Sequence, residues 1–244
     1  MQYPKISEYV KASQDASDNL DMSTKVTEEE LNEAITDEFG VKYSKDGRKL
    51  LQVSYELNGT YSIKEGVRII CNCAFLCRTS LRSVVIPNSV VCINGNPFGK
   101  WYGKLECLSP NFIYEDNVLF NKDKSKIISF RNQAISSYII PSSVTSIGDS
   151  AFAGCFSLRN ITIPSSVTSI GKSAFSGCEY LSSLVIPDSV TSIGDYAFSD
   201  SFSLESLVIP DSVTSIGNEA FRGCNFPNDL KQELISRFGE KIFG

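Results

Sequence analysis

The side chains with the most chemical potential in this chain are its eight cysteines. Cys71, Cys73 and Cys77 form a C-x-C-x3-C motif, a spacing that can hold a thiophilic metal but that has no fourth ligand nearby. The sequence contains no histidine, which excludes Ser-His-Asp and Cys-His catalysis and every histidine-containing metal site. Serine and threonine are abundant, but a hydroxyl without a base is not a nucleophile. We therefore predict no enzyme, no bound metal and no cofactor.

Charge and hydropathy narrow the range of partners. The formal net charge is -5 and lysine and arginine are scattered, so no basic patch predicts a nucleic-acid partner. No segment approaches the roughly 18 apolar residues that cross a bilayer. The first ten residues, MQYPKISEYV, lack the apolar core of a signal peptide. These features predict no membrane span and, if the chain as given is complete, a cytoplasmic location.

The C-terminal half repeats itself every 23 residues. Each unit reads L-x-x-[IL]-x-I-P-x-S-V-T-S-I-G-x-x-A-F-x-G-C-x-x with small variations, and its proline recurs at Pro141, Pro164, Pro187 and Pro210. A fixed period of this length is the mark of a solenoid, in which each coil covers the apolar side chains of the next.

A second offset, of 77 residues, superimposes the N-terminal half on the same plan. These coils are degenerate, because Lys64, Asn94 and Pro97 stand where later coils have proline, glycine and alanine. Both halves contain two β-rich runs around a Lys-Asp turn, GVKYSKDGRKLLQV and NVLFNKDKSKIISF. We predict inserted β-hairpins near residues 40–60 and 112–134.

Within one coil, alternation predicts a strand in which Leu184 and Ile186 face inward and Val185 faces outward. The proline that follows should end the strand. Val190 and Ile193 are three residues apart, which predicts a bend or a second short strand, and the glycine after them is expected to adopt positive φ. Phe198 and its equivalents are the largest apolar side chains of the coil.

Helical caps are predicted at both ends. In VTEEEL, Thr27 and Glu30 form a capping box, Val26 and Leu31 a hydrophobic staple, and Gly40 a stop. We therefore assign residues 1–39 to an N-terminal helical segment, which includes a weaker amphipathic stretch, ISEYVKASQDASDNL. Residues 40–226 form the solenoid, and residues 227–244 form a capping helix with Asn228 or Asp229 as its N-cap.

The remaining cysteines have a simpler interpretation. Cys155, Cys178 and Cys224 share one repeat position with Ser201. A position that accepts cysteine or serine is small, buried and mildly polar, whereas the alternative is disulfide bonding. Cys71 and Cys73 also align with core-like positions, those of Gly148 and Ser150, which weighs against the metal interpretation.

The repeat IPxSVTSIGxxAFxGCxxL, over about residues 40–226, resembles the BspA-type, Treponema pallidum-like leucine-rich repeat family. The resemblance implies a β-rich repeat solenoid, an α/β leucine-rich-repeat-like right-handed superhelix with inserted β-hairpins, an N-terminal helical segment and a C-terminal capping helix. It also implies adhesion at the surface of gut or oral bacteria, or secretion. The chain departs from this pattern in showing no export signal and in its first 39 residues, and related repeats also serve as accessory modules of larger intracellular bacterial proteins.

We predict a non-catalytic, adhesin-like module that binds a protein ligand, a host matrix or bacterial surface protein, through the outward side chains of its strands. The alternative is a structural spacer or regulatory accessory domain of a larger bacterial protein. Trp101 and Tyr102 are a second candidate, either as an exposed aromatic anchor or as a plug in an irregular coil. The oligomeric state stays open. The predicted ligand-binding face consists of Arg82, Ser83, Val85, Arg159, Asn160, Thr162, Ser182, Ser183, Val185, Glu205, Ser206 and Val208.

Overall fold

The computed structural model describes residues 22–244. The chain divides into two compact units, which meet in sequence between Phe112 and Ile113. Unit 1 is described from residue 22 to residue 112, and unit 2 comprises residues 113–244. The predicted amphipathic stretch ISEYVKASQDASDNL lies outside the described residues.

Residues 22–112 of unit 1 form one short helix and seven strands. One sheet has the strand order β1-β2-β3-β5 and the other β4-β6-β7. The predicted hairpin is confirmed, because β2 and β3 pair antiparallel, and β3 then pairs parallel with β5 as the first member of a stack. The elements are α1 Glu28–Asn32, β1 Ile35–Thr36, β2 Lys42–Tyr43, β3 Lys49–Gln52, β4 Gly59–Ser62, β5 Ile69–Ile70, β6 Leu81–Ile86 and β7 Lys104–Cys107.

The N-terminal helix has the predicted capping box but is shorter than the predicted segment. Thr27 Oγ1 accepts a hydrogen bond from Glu30 N at 3.1 Å, and Thr27 N donates to the Glu30 carboxylate at 3.0 Å. The prediction that helix continues to Gly40 is wrong, because β1 pairs antiparallel with β2 instead. Asp37 Oδ1 accepts from the backbone N–H groups of Phe39 and Val41, which stabilises a turn in competition with helix.

Unit 2 is a β-solenoid whose coils each contribute two short strands to two separate ladders. β12, β14, β16 and β18 continue the hairpin strand β10 in parallel, and β11 pairs with β13 and β15 with β17 on another side. The predicted second hairpin, β9 with β10, is confirmed. The strands are β8 Phe112–Glu115, β9 Val118–Asn121, β10 Lys126–Phe130, β11 Ser137–Ile139, β12 Ser146–Ile147, β13 Asn160–Thr162, β14 Ser169–Ile170, β15 Ser183–Val185, β16 Ser192–Ile193, β17 Ser206–Val208 and β18 Ser215–Ile216.

The core of unit 2 is a set of side-chain ladders one coil apart. Leu184 and Ile186 are buried and Val185 is exposed, so the predicted alternation is confirmed. Val190 and Ile193 are also buried, since the second short strand turns Ile193 inward. The phenylalanines stack along the solenoid with ring centroids 4.8 to 5.6 Å apart. They are Phe130, Phe152, Phe175, Phe198 and Phe221.

The repeat glycines allow neighbouring coils to approach each other closely. They do not adopt positive φ, which corrects the prediction. A Cβ on Gly171 would lie 2.6 Å from Asp149 Oδ1, and one on Gly194 would lie 2.6 Å from Lys172 N. Only glycine lets neighbouring coils come this close. The positive φ falls two residues later, on non-glycine residues such as Ser173 at 52° and Tyr196 at 57°.

The C-terminal helix α2 spans Asn228–Phe238 and is followed by a short 3-10 helix, Glu240–Ile242. The predicted N-caps are wrong, because Asn228 and Asp229 are the first helical residues and the extended Pro227 precedes them without a side-chain cap. The segment after α2 acts as a substitute coil. Glu219 N and Phe221 N donate to the carbonyl oxygens of Lys241 and Ile242, at 2.7 and 2.8 Å. These hydrogen bonds pair backbone N–H groups that the last coil would otherwise leave without a partner from a further coil.

Candidate functional site

The strand face of unit 2, formed by the outward side chains along β11, β13, β15 and β17, is the candidate site. β11 and β13 are paired so that Ser137 lies beside Asn160 and Ile139 beside Thr162. β15 and β17 repeat this register, with Ser183 beside Ser206 and Val185 beside Val208. The intervening residues of all four strands point inward, so the face consists of three columns of side chains one coil apart.

The apolar column of this face consists of Ile139, Thr162, Val185 and Val208. Ile139 is 73% exposed, Val185 65% and Val208 55%, whereas their inward neighbour Leu184 is 3% exposed. Isolated exposed apolar residues are ordinary, but a registered column of them is typical of an interaction surface. The sequence prediction included Thr162, Val185 and Val208 but missed Ile139, which lies one period before Thr162.

The charged column runs beside the starts of the strands and consists of Ser136, Arg159, Ser182 and Glu205. All four side chains are exposed. The backbone keeps them in register, since Arg159 N donates to Ser136 O at 2.8 Å and Glu205 N to Ser182 O at 3.1 Å. The Arg159 guanidinium lies 5.1 Å from the centroid of the half-exposed Tyr180 ring, which holds the cation against the face.

The polar column lies between the other two and consists of Ser137, Asn160, Ser183 and Ser206. All four are exposed. Small hydroxyl and amide side chains leave the neighbouring columns accessible and can donate or accept hydrogen bonds. The predicted residues of unit 2, from Arg159 to Val208, are therefore all brought together on one surface.

The strand face of unit 1 carries the three remaining predicted residues, and its chemistry differs. Arg82 is exposed, whereas Ser83 and Val85 are half-buried. Ser83 Oγ donates to Thr60 Oγ1 at 2.7 Å, so part of its hydrogen-bonding capacity is used within the face. Because β6 pairs with β7, Lys104 lies beside Ser83 and Glu106 beside Val85. This face is charged and lacks a continuous apolar column.

The predicted buried and mildly polar position is confirmed at Cys155, Cys178 and Ser201, whereas Cys224 in the last coil is half-buried. Cys178 Sγ donates to Phe152 O at 3.2 Å, Ser201 Oγ to Phe175 O at 3.0 Å and Cys224 Sγ to Phe198 O at 3.2 Å. Burial raises the pKa of Cys178 and of Cys224 to about 12. These neutral thiols serve as hydrogen-bond donors between coils and not as nucleophiles.

Comparison with known proteins identifies the architecture. The sequence profile described as the BspA type leucine rich repeat region matches residues 55–122 and 124–244, in six copies. The chain belongs to the BspA-type leucine-rich repeat family. A comparison with curated proteins finds no significant match.

Solved structures that resemble this BspA-type protein include a pneumococcal antigen and a cell surface protein. The pneumococcal vaccine antigen PcpA has a TM-score of 0.60 at 21% identity, over 72% of this chain and 52% of PcpA. A leucine rich cell surface protein from Faecalibacterium prausnitzii has a TM-score of 0.55 at 25% identity, over 76% of this chain and 64% of its own. The chain thus spans about half the length of the first and less than two thirds of the second.

Trp101 takes the second of the two roles that the BspA-type sequence left open. It is 1% exposed, and its indole Nε1 donates to Leu81 O at 2.6 Å. Its ring lies 5.4 Å from Phe98 and 6.1 Å from Phe75. Trp101 therefore plugs the irregular coil, and the prediction that it is an exposed anchor is wrong. Tyr102 is 43% exposed and stays a prediction.

The C-x-C-x3-C motif does not gather its thiols in one environment. Cys71 is buried, whereas Cys73 and Cys77 are exposed and adopt positive φ. Burial, and then the neighbouring Cys77, raise the pKa of Cys73. Over residues 22–244, no group of three or more potential ligands is arranged to hold a metal ion. In the same range, no helix has the length and apolarity needed to cross a bilayer.

Proposed function

We propose that this BspA-type repeat protein is a non-catalytic, adhesin-like binding module that acts at the bacterial surface. Its ligand is a protein, either of the host matrix or of another bacterial surface, and the strand face of unit 2 makes the central contact. The observation that carries the proposal is the exposed apolar column, in which Ile139, Val185 and Val208 are each more than half exposed. The F. prausnitzii relative is described as a cell surface protein, which supports the location.

The face has the physical properties of a preformed binding surface. Each outward residue alternates with a buried one, so the backbone that presents it is fixed by the core. The exposed valines have one rotatable side-chain bond and lose little conformational entropy when covered. Serine and asparagine beside them can donate and accept hydrogen bonds, and Arg159 and Glu205 supply charges at the rim. Arg82 on the face of unit 1 is proposed as a secondary contact.

A spacer or accessory role is the second candidate function. It is favoured by the length of the relatives, since the chain covers 52% of PcpA and 64% of the F. prausnitzii protein. In that role the solenoid would position another domain, and its strand face would bind nothing specifically.

A binding experiment separates the two functions. The purified chain is immobilised and exposed to a concentration series of purified extracellular-matrix proteins and of bacterial surface proteins. The same series is applied to Val185→Lys, to Arg159→Glu and to Arg82→Glu. Because Val185 lies at the centre of the apolar column, its replacement by lysine is expected to weaken saturable binding tenfold or more. The two arginine variants are expected to lower the association rate more than they raise the dissociation rate.

Lys122→Glu is the matched control, because Lys122 is exposed on the second hairpin, away from the strand face. It makes the same charge change as Arg159→Glu and is expected to bind like the unmodified chain. Unchanged binding by all three face variants, with circular dichroism showing an intact fold, would contradict the proposed face. Absence of saturable binding across the panel would favour the spacer function.

A further inference from the structure

The strand face of unit 2 is complementary to itself. In the charged column, Arg159 lies one coil before Ser182 and Glu205 lies one coil after it. Val185 holds the corresponding middle place in the apolar column, between Thr162 and Val208. A two-fold axis that runs along β15 reverses the order of coils but keeps the direction of the strands. It therefore carries Arg159 to the place of Glu205 and keeps Val185 at the centre.

We propose that this face docks onto the same face of a second copy of the chain, about that two-fold axis. Arg159 of each copy then faces Glu205 of the other, so two equivalent ion pairs flank the interface. Val185 meets its own equivalent on the axis, and Thr162 faces Val208. Such an isologous arrangement closes after two copies and creates no filament.

The charges select this alignment over its neighbours. An axis along β13 would set Arg159 against a second Arg159, and an axis along β17 would set Glu205 against a second Glu205. An axis between β13 and β15 would leave both charges opposite serines. Among axes parallel to the strands, only the one along β15 places Arg159 of each copy opposite Glu205 of the other. Arg159 is already held on the face by its contact with Tyr180.

The geometry of the sheet also favours a second copy. Coils of both copies repeat at the same spacing, so Thr162, Val185 and Val208 in the apolar column of one copy lie directly opposite Val208, Val185 and Thr162 in the other copy. The strands present on the order of a few hundred Å² per copy, which is below the roughly 800 Å² of a standard interface. The dimer is therefore weak and forms only as the protein concentration rises.

The experiment is sedimentation velocity of the purified full chain over a concentration range from about 10 µM to about 1 mM, which brackets a weak interface. The unmodified chain is expected to shift from monomer to dimer. Arg159→Glu and Glu205→Arg each create two like-charge contacts in their own homodimers, and each is expected to raise the dissociation constant at least tenfold. Lys122→Glu, off the face, is expected to leave it unchanged.

Mixing the two single variants is the decisive measurement. In the mixed pair, the glutamate introduced by Arg159→Glu faces the arginine introduced by Glu205→Arg, and the unchanged Glu205 of the first copy faces the unchanged Arg159 of the second. An equimolar mixture is therefore expected to dimerise although neither component does. A chain that stays monomeric at every concentration would overturn the proposal. So would a dimer that survives both single variants, or a mixture that behaves as the sum of its parts.

The dimer uses the same face as the proposed ligand site but needs no ligand, so dimerisation and ligand binding can be refuted separately. A monomeric chain that still binds a surface protein through Val185 loses only the dimer. A dimer without any ligand leaves the self-association standing and removes the proposed function. If both hold, dimerisation covers the ligand face, and ligand binding is expected to weaken as the concentration of the chain rises.

Discussion

The two units fill the same repeat positions with different chemistry. Unit 2 places Cys178, Ser201 and Cys224 where each donates a hydrogen bond to a phenylalanine carbonyl of the preceding coil. At the equivalent position unit 1 has Arg78, which is 3% exposed. Its Nε donates to Val53 O at 2.6 Å and its guanidinium lies 3.6 Å from the Tyr55 ring. One backbone acceptor is thus satisfied either by a small hydroxyl or thiol or by a buried cation.

The proline position shows the same contrast. Unit 2 ends its outer strands before Pro141, Pro164, Pro187 or Pro210. Unit 1 keeps the proline at Pro87 but has Lys64 one coil earlier, where the Lys64 Nζ lies 3.3 Å from the carboxylate of the fully buried Asp37 side chain. Tyr61 OH also donates to Asp37, at 2.8 Å. β4 still ends two residues before Lys64, and the lysine anchors the turn that follows β1.

The coils of the two units are stabilised in different ways. In unit 2 each core side chain packs against the residue at the same repeat position one coil away, so the same contact recurs along the stack. In unit 1 several departures from the repeat have dedicated partners, such as Trp101 against Phe98 and Phe75. Variants at both kinds of position test whether that difference changes the free energy of unfolding.

Phe175→Ala is expected to have the largest effect, because Phe175 stacks on Phe152 at 5.0 Å and on Phe198 at 5.3 Å. Truncation of a fully buried phenylalanine leaves a cavity and costs about 3–5 kcal/mol of the free energy of unfolding. Denaturant titration measures the loss. Phe175→Leu, which keeps most of the volume, is the control and is expected to cost much less. Equal losses for both variants would show that ring stacking, and not volume, stabilises unit 2.

The repeat period predicted the Phe175 environment, the two hairpins, the first strand of each coil and the outward residues of unit 2 except Ile139. These follow from alternation and identity, which depend on local sequence. The repeat left a bend or a second short strand open for the later part of the coil. The positive φ was assigned to the wrong residue of the turn, because the approach of neighbouring coils requires glycine at Gly171 and Gly194. Trp101 is buried because it fills a gap beside Phe98 and Phe75 in an irregular coil, and a local sequence pattern cannot predict such a gap.

Arg78→Ser tests whether unit 1 needs arginine at this repeat position, because one coil of unit 2 has serine, Ser201, at the equivalent position. Serine is too short to fill the space of the guanidinium, so the Val53 carbonyl loses its donor and Tyr55 its partner. We expect a loss of about 1–3 kcal/mol in the free energy of unfolding. If denaturant titration finds no loss, the coil of unit 1 accepts the serine of unit 2 in place of Arg78. Arg222→Ser, at an exposed position, is the control for removal of an arginine.

Ser201→Ala is expected to have the smallest effect, because Phe175 O also accepts a hydrogen bond from the backbone N–H of Cys178. Loss of the Ser201 hydroxyl therefore removes one of two donors, at about 0.5–1.5 kcal/mol. Ser201→Cys restores a donor of the kind present in the neighbouring coils and is expected to recover most of this loss in the same titration. If cysteine and alanine were equally destabilising, the column would be selected for size alone. Recovery would show that the repeat keeps a hydrogen bond from coil to coil while exchanging the atom that donates it.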